Sequence, residues 1–189
     1  MQPQRDLRTI LYHIADEAQG PALDVLGPTI EFITQPSRDD DTALCVLRGV
    51  VPAGVTVPMH SHDDAEDFYI LAGTQEVLTQ HANGLEWAHA HAGDYVRVPP
   101  GTMHAHRNVS AQPAVDLIIT TAKLGRFFEE IGRPVNGAPE PPSPEHIARF
   151  IETAIRYGYT LGTPEQNAAA GIELPKFPLE PRPGLRRSG

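Results

Sequence analysis

The sequence predicts an all-β fold, a small sandwich or barrel, with short helical segments before and after it. Between residues 22 and 122, short runs alternate apolar and polar positions, as half-buried strands do. β-Branched and aromatic residues are frequent in these runs, and turn residues separate them about every eight to twelve positions. Alternation, composition and turn spacing together indicate a sandwich or a closed barrel.

Residues 1–21 form an N-terminal lead-in, for which we predict a short helix. Its apolar residues recur at spacings of three and four, which is typical of one helix face: Leu7, Ile10, Leu11 and Ile14. The segment lacks the basic and then apolar layout of a signal peptide, so we expect a cytoplasmic protein. The single Cys45 cannot form an internal disulfide, which agrees with a reducing compartment.

Nine runs in the barrel segment, residues 22–122, each suit a β-strand. They are residues 29–34, 42–50, 54–60, 67–73, 75–81, 85–91, 94–100, 104–109 and 114–121. Asn83 and Gly84 stand between two of these runs. This dipeptide is a strong hairpin signal, because a two-residue type I′ turn needs positive φ at both positions.

Beyond the barrel the chain becomes helical and rich in proline, and we assign residues 123–170 to a helical extension. A short helix is predicted over residues 123–132. A second is predicted over residues 143–158, with Ser143 as its N-cap, proline in its first turn and glycine as its stop. Its apolar stripe favours docking on the barrel or on a second subunit: Ile147, Phe150, Ile151, Ala154 and Ile155. The proline-rich tail, residues 171–189, is expected to be loosely ordered.

Charge and hydropathy argue against two classes of partner. Fifteen Lys and Arg against twenty-four Asp and Glu give a formal charge of −9. An acidic surface repels phosphate backbones, so we expect no nucleic-acid partner. No apolar run approaches the roughly 20 residues that a membrane-spanning helix needs, so we expect no membrane partner.

Histidines are concentrated in the middle of the chain, where seven of the nine lie between residues 60 and 106. His60 and His62 are two apart in a predicted strand, so their side chains point to the same side. Glu66 follows after a short turn and shares a face of the next strand with Phe68 and Ile70. Two imidazoles and one carboxylate can therefore converge inside a barrel.

A third histidine, His104, opens the strand that follows a Pro-Gly turn. Three neutral imidazole nitrogens and one carboxylate oxygen suit Fe, Mn, Ni, Co, Zn or Cu. Four protein ligands leave coordination positions open for water, substrate or dioxygen, as catalytic metal sites do.

The residues around these candidates follow two spaced patterns. They read G-x5-H-x-H-x3-E-x6-G from Gly54 to Gly73, and G-x5-P-x-G-x2-H-x3-N from Gly93 to Asn108. Both resemble the two signature motifs of the cupin superfamily, with a match at every defined position. The resemblance covers roughly residues 22–122. A barrel followed by a helical extension is also similar to single-domain bacterial cupins of the quercetin-dioxygenase-like type.

The resemblance implies a small jelly-roll β-barrel with one divalent transition metal ion. The residues that match the ligands of the family are His60, His62, Glu66 and His104. The alternative is a degenerate cupin that keeps these residues and binds no metal. Cupin barrels commonly pair, and the apolar stripe of the second helix needs cover, so we expect a homodimer.

Other residues have ordinary interpretations beside functional ones. His106 should share the inward face of His104, as a hydrogen-bond donor behind the ligands, a substrate contact or a packed polar side chain. Phe68 and Ile70 are expected to line the substrate pocket, which is also ordinary core packing. The remaining candidates are predicted to be loop or surface residues: His81, His89, His91, Asp63, Asp64, Asp67, Tyr95 and Arg97.

The leading functional hypothesis is a metal-dependent dioxygenase that acts on a small oxygenated or aromatic compound through a metal-bound enolate. Three neutral ligands and one carboxylate leave a divalent ion with a net charge of about +1, which stabilises such anions. Glu66 is the expected general base, a role that quercetinase-like cupins assign to the matching residue. The alternatives are a non-redox isomerase, decarboxylase, lyase or cyclase, and a small-molecule binding protein without turnover.

Overall fold

The structure, a computed structural model, describes residues 21–81, 84–137 and 141–174. The predicted lead-in helix falls almost wholly on residues 1–20, and most of the predicted tail falls on residues 175–189. Those parts of both segments lie outside the described residues, whereas residues 171–174 of the tail are described and Ile172 is buried there.

The described chain forms two antiparallel sheets and three short helices. The strands are β1 (Leu23–Asp24), β2 (Thr29–Phe32), β3 (Leu44–Val51), β4 (Thr56–Ser61), β5 (Glu66–Ala72), β6 (Thr74–His81), β7 (Gly84–His91), β8 (Tyr95–Val98), β9 (His104–Arg107), β10 (Ala114–Thr121), β11 (Arg133–Pro134) and β12 (Thr160–Leu161). The helices are α1 (Ala122–Ile131), α2 (Pro144–Arg156) and α3 (Pro164–Ala169). One sheet has the order β11-β1-β2-β3-β10-β5-β8, and the other β12-β4-β9-β6-β7. The predicted all-β fold of jelly-roll type is confirmed.

Each of the nine predicted strands corresponds to one of β2 to β10. The prediction missed β1, β11 and β12, which are two residues long, and the six-residue α3. Elements this short depend on the partner they pair with, and a local pattern of alternation needs about four residues to be visible.

Alternation in the central strands places the core between the two sheets. In β3 and β10 every second residue is buried, which puts Cys45, Leu47 and Ile118 on the inward faces. Ile30 and Ile70 join them in one apolar cluster. Full burial of each large aliphatic side chain contributes about 1.5–3 kcal/mol, so this cluster is a main source of stability.

The predicted hairpin is present, with a different end from the one expected. β6 and β7 pair antiparallel as far as His81 opposite Gly84. Gly84 therefore begins β7, where it has a φ of 125° that favours glycine, and is not a turn residue. The two residues that close the hairpin, 82 and 83, lie outside the described ranges.

Both predicted helices are present, and they pack on each other. Thr121 caps α1 and Ser143 caps α2, each accepting a hydrogen bond from a backbone N–H of the first turn. In α2, Ala154 is buried against α1 and Phe150 packs beside it, whereas Ile155 is 67% exposed. One edge of the apolar stripe thus docks on α1. The homodimer that we expected to cover the stripe stays a prediction. Within the described ranges, no helix is long and apolar enough to cross a bilayer.

The extension returns to the barrel after α2. β12 pairs with β4, so that Leu161 lies opposite His60. The side chain of Asn167 accepts a hydrogen bond of 3.0 Å from the backbone N–H of Met59 and donates to the carbonyl oxygens of Gly162 and Thr163. The last described segment is therefore bound to the strand that carries His60.

Candidate metal centre

The structure brings together the four residues that the motifs indicated, at a point where three strands begin or end. His60 lies in β4, and His62 directly follows that strand. His104 begins β9, which pairs with β4 so that His60 and His104 are opposite each other. Glu66 begins β5 in the other sheet. Both sheets thus contribute to the group.

The four side chains are close enough to share one ion. One nitrogen or oxygen atom of each lies within 4.8 Å of those of the others. Oε2 of Glu66 is 3.3 Å from Nε2 of His62 and 3.3 Å from Nε2 of His104. His62, Glu66 and His104 are all buried. We refer to His60, His62, Glu66 and His104 as the His3Glu group.

Backbone carbonyls fix the orientation of the three imidazoles. Nδ1 of His60 lies 2.8 Å from the carbonyl oxygen of Pro58. Nδ1 of His62 lies 3.1 Å from the carbonyl oxygen of Asp64. Nδ1 of His104 lies 2.8 Å from the carbonyl oxygen of Thr102. A carbonyl only accepts, so each Nδ1 carries a proton, and in the neutral ring Nε2 is then left with its lone pair. Nε2 of His62 and of His104 is buried, and neither has a hydrogen-bond partner among the described residues. Because buried acceptors normally have partners, a cation fits this group.

Burial and neighbouring rings act against each other on the charges of the group. Burial raises the pKa of the Glu66 carboxyl, but the adjacent His104 and His62 outweigh it and hold that pKa well below its usual range. Burial, with a smaller effect of His104, lowers the pKa of His60 to about 3. An ionised Glu66 and a neutral His60 are the forms that can give electron pairs to a cation.

A tyrosine from the extension covers one side of the His3Glu group. The ring of Tyr159 lies 4.8 Å from that of His62 and 5.9 Å from that of His60, between ring centres. Its other neighbour is Phe127, which stacks on it at 4.4 Å. Burial, with Glu66 and Asp64 nearby, raises the pKa of Tyr159 well above its usual range, so the phenol stays neutral. No local signal marks Tyr159, because its position depends on the pairing of β12 with β4.

A cavity of about 70 Å³ inside the barrel borders the group. His60 and Glu66 form part of its wall, with apolar residues of β2, β3 and β10. Of the three predicted pocket residues, Phe68 and His106 line it. Ile70 instead belongs to the apolar core cluster and does not line this cavity. Burial lowers the pKa of His106 to about 4, so its ring is neutral.

One lining residue, Asp116, was missed by the sequence analysis. It is 1% exposed and lies on the inward face of β10. A signal was present, because an acid stands at an inward position of a strand whose other inward residues are Ala114, Ile118 and Thr120. An isolated acid on the buried face of a strand requires a partner or a function.

Most of the residues expected at the surface are there. His89 and His91 are exposed on β7, and Tyr95 donates a hydrogen bond of 2.6 Å to Asp67 at the surface. The side chain of His81 lies outside the described part of the chain. Asp64 lies in the loop between β4 and β5, as predicted, but it is not at the surface: it is 7% exposed and accepts a hydrogen bond from Thr121. This contact anchors the turn whose backbone oxygen orients His62.

Comparison with known proteins agrees with this geometry. Residues 47–120 match the family model of the Cupin domain. The predicted resemblance to the cupin superfamily is therefore confirmed over residues 47–120, which make up less than half of the chain. No curated protein matches the sequence.

Several solved structures are similar in fold. Oxalate decarboxylase of Bacillus subtilis is 18% identical with a TM-score of 0.44, over 55% of this chain and 28% of that one. A recombinant oxalate oxidase in complex with glycolate is 21% identical with a TM-score of 0.41, over 51% of each chain. A Klebsiella pneumoniae protein with a double-stranded β-helix domain is 15% identical with a TM-score of 0.45, over 61% of this chain and 91% of that one. The chain thus spans about a quarter of the length of the decarboxylase.

Proposed function

We propose that this protein is a metal-dependent cupin enzyme that acts on a small oxygenated compound, with dioxygenation as its leading reaction. One observation carries the proposal: the His3Glu group directs buried Nε2 atoms without hydrogen-bond partners, and one carboxylate, to a common point beside a cavity. A purely structural group would satisfy its buried acceptors within the protein.

His60, His62, Glu66 and His104 would hold one divalent ion of Fe, Mn, Ni, Co, Zn or Cu. When bound, the ion supplies positive charge that polarises substrate oxygens and, if redox-active, allows reaction with dioxygen. The cavity wall at His60 and Glu66 is where a substrate would reach the centre. Binding would favour the enolate-forming or catechol-like compounds that the sequence analysis indicated.

Glu66 would act as the general base. Burial raises its pKa, but His104 and His62 hold that pKa well below the usual range, so Glu66 is ionised at neutral pH. It would accept a proton from a substrate O–H or C–H that the bound cation makes more acidic. It borders the cavity as well as the three imidazoles, so one carboxylate reaches both. Phe68 would orient the substrate from the wall, and Tyr159 would exclude water from the side of the extension.

A non-redox reaction is the second candidate, because the same donor set also suits Zn. With Zn, the protein would isomerise, decarboxylate, eliminate or cyclise its substrate with Glu66 as base. Because its pKa is lowered, Glu66 is ionised at neutral pH and could act as the base in either the dioxygenation or the non-redox reaction.

Oxygen consumption distinguishes these candidates. Metal-free protein is loaded in turn with Fe, Mn, Co, Ni, Cu and Zn and incubated with flavonols, catechols and 1,3-diketones in an oxygen-electrode cell. We expect uptake coupled to substrate loss with at least one redox metal and none with Zn. Turnover with Zn in the absence of oxygen would favour the non-redox reaction. Tight binding of a compound recovered unchanged with every metal would favour a binding protein.

A further inference from the structure

Asp116 is a second polar group in the cavity wall, four residues along β10 from Thr120, which lies opposite Glu66. Oδ2 of Asp116 accepts a hydrogen bond from Nε2 of Gln75. Oδ1 is buried, and the described residues offer it no hydrogen-bond partner. A buried carboxylate oxygen without a donor is costly, and proteins retain such groups mainly where a ligand supplies what is missing.

A glycine makes room for this oxygen. Gly49 lies opposite Asp116 in the ladder of β3 and β10, and both line the cavity. A Cβ at Gly49 would lie 2.2 Å from Oδ1 of Asp116, far inside contact distance. Any other residue at position 49 would displace the carboxylate, so this part of the wall is shaped around Oδ1.

Gln75 links Asp116 to His106. The amide nitrogen of Gln75 must face the carboxylate, since a carboxylate only accepts, and Oε1 of Gln75 then faces His106. Nδ1 of His106 is 3.0 Å from Oε1 of Gln75, so Nδ1 donates and Nε2 keeps a lone pair. The network therefore leaves two acceptors in the cavity wall, Oδ1 of Asp116 and Nε2 of His106.

We propose that Asp116 and His106 form an acceptor site for a second polar end of the substrate, beside the His3Glu group. The substrate would then be a small molecule with a chelating oxygen group at one end and an alcohol or ammonium donor at the other. This inference rests on the proposed function, because the first end is held at the metal centre. Asp116 is the residue that determines specificity, and Gln75 positions both acceptors.

Hydroxamates that differ only in the second end provide the test. Co(II)-loaded protein is titrated with acetohydroxamate, glycolohydroxamate and glycine hydroxamate, which carry methyl, hydroxymethyl and aminomethyl groups, and with homologues one methylene longer. Visible absorption of Co(II) reports chelation, and calorimetry gives Kd. We expect at least one donor-bearing probe to bind about tenfold more tightly than its methyl analogue. The hydroxyl and ammonium arms show which donor is preferred.

Variants assign this preference to Asp116. Asp116→Asn keeps the shape and presents an N–H where Oδ1 was, so the preference should fall to within about twofold. The quantity compared is the ratio of the Kd of each donor-bearing probe to that of acetohydroxamate in the same variant, so a general change in affinity at the metal cancels. Glu76→Gln is the matched control, because Glu76 neighbours Gln75 in β6 but pairs with Arg107 instead of lining the cavity.

The outcomes separate the two proposals. A normal acetohydroxamate response without any preference for donors, or a preference that survives in Asp116→Asn, overturns the acceptor site alone. Absence of a spectral change with acetohydroxamate contradicts the metal centre, and the two-ended binding mode with it. Because the wild-type preference is measured without a substitution, poor folding of a variant cannot hide the result.

Discussion

Two polar groups share the interior of this barrel, and they are held in different ways. Each imidazole of the His3Glu group is oriented by a backbone carbonyl only two residues away in the sequence. The acceptor site is held by side chains from distant strands, with Gln75 31 residues from His106 and 41 from Asp116. Locally fixed geometry recurs as a sequence motif, whereas geometry fixed across strands leaves no continuous pattern.

The largest effect should come from Glu66→Gln, which removes the proposed base and keeps the three imidazoles. Turnover should fall by about 10²–10⁴-fold, the usual contribution of a general base. Metal content should stay above half of the wild-type value, because three histidines remain. Steady-state kinetics with the substrate found in the oxygen assay measure the loss. Unchanged turnover with normal metal content would remove Glu66 as the base.

Asp116→Asn should stabilise the metal-free protein at alkaline pH. Burial raises the pKa of Asp116 from 3.8 to about 6, with Glu66 adding to it and Gln75 and Arg48 opposing it. For an acid with a raised pKa, the folded state loses stability as pH rises from the unfolded to the folded pKa. The loss of folding free energy is thus absent below about pH 4 and complete above about pH 7. A pKa difference of about two units between the folded and unfolded states corresponds to about 3 kcal/mol.

Urea unfolding of both proteins at pH 4 and pH 8 measures this penalty. We expect equal stability at pH 4 and an advantage of about 2–3 kcal/mol for the variant at pH 8. Equal stability of the wild type and the variant at both pH values would mean that the Asp116 carboxylate has enough hydrogen-bond donors in the folded protein. That result would remove the reason for expecting a ligand there.

Gly49→Ala should destabilise the protein by about 1–3 kcal/mol, the usual cost of overpacking. The new Cβ would collide with Oδ1 of Asp116, 2.2 Å away. Asp116→Ala in the same chain should recover most of the loss, because it removes the colliding atom. Thermal unfolding of the two single variants and the double variant gives the coupling energy. Additive losses would show that the glycine serves another purpose.

Most of the metal centre and of the core could be predicted from the sequence. Residue spacing and the resemblance to the cupin motifs indicated His60, His62, Glu66 and His104, and the alternation of β3 and β10 indicated the core. Asp116 could also have been found, as an acid on an inward face. Tyr159 could not, because only the pairing of Thr160 with Ser61 brings its ring to the imidazoles.

The smallest effect is expected from His89→Ala, a matched control for histidine loss. His89 is exposed on β7 and lies 3.6 Å from Glu76, a surface contact worth little. Stability should change by less than about 0.5 kcal/mol, and metal content should not change. A loss of metal comparable to that of a motif histidine would show that the His3Glu group does not account for the binding.

Metal content is the most direct test of the metal centre. Wild-type protein, His60→Ala/His104→Ala and His89→Ala are purified without chelator or added metal and analysed by plasma mass spectrometry. We predict about one transition-metal ion per chain in the wild type and in His89→Ala, and less than about a tenth in the double variant. Circular dichroism checks that all three proteins are folded. A folded wild-type protein that binds none of these metals, even after incubation with each of them, would contradict the account.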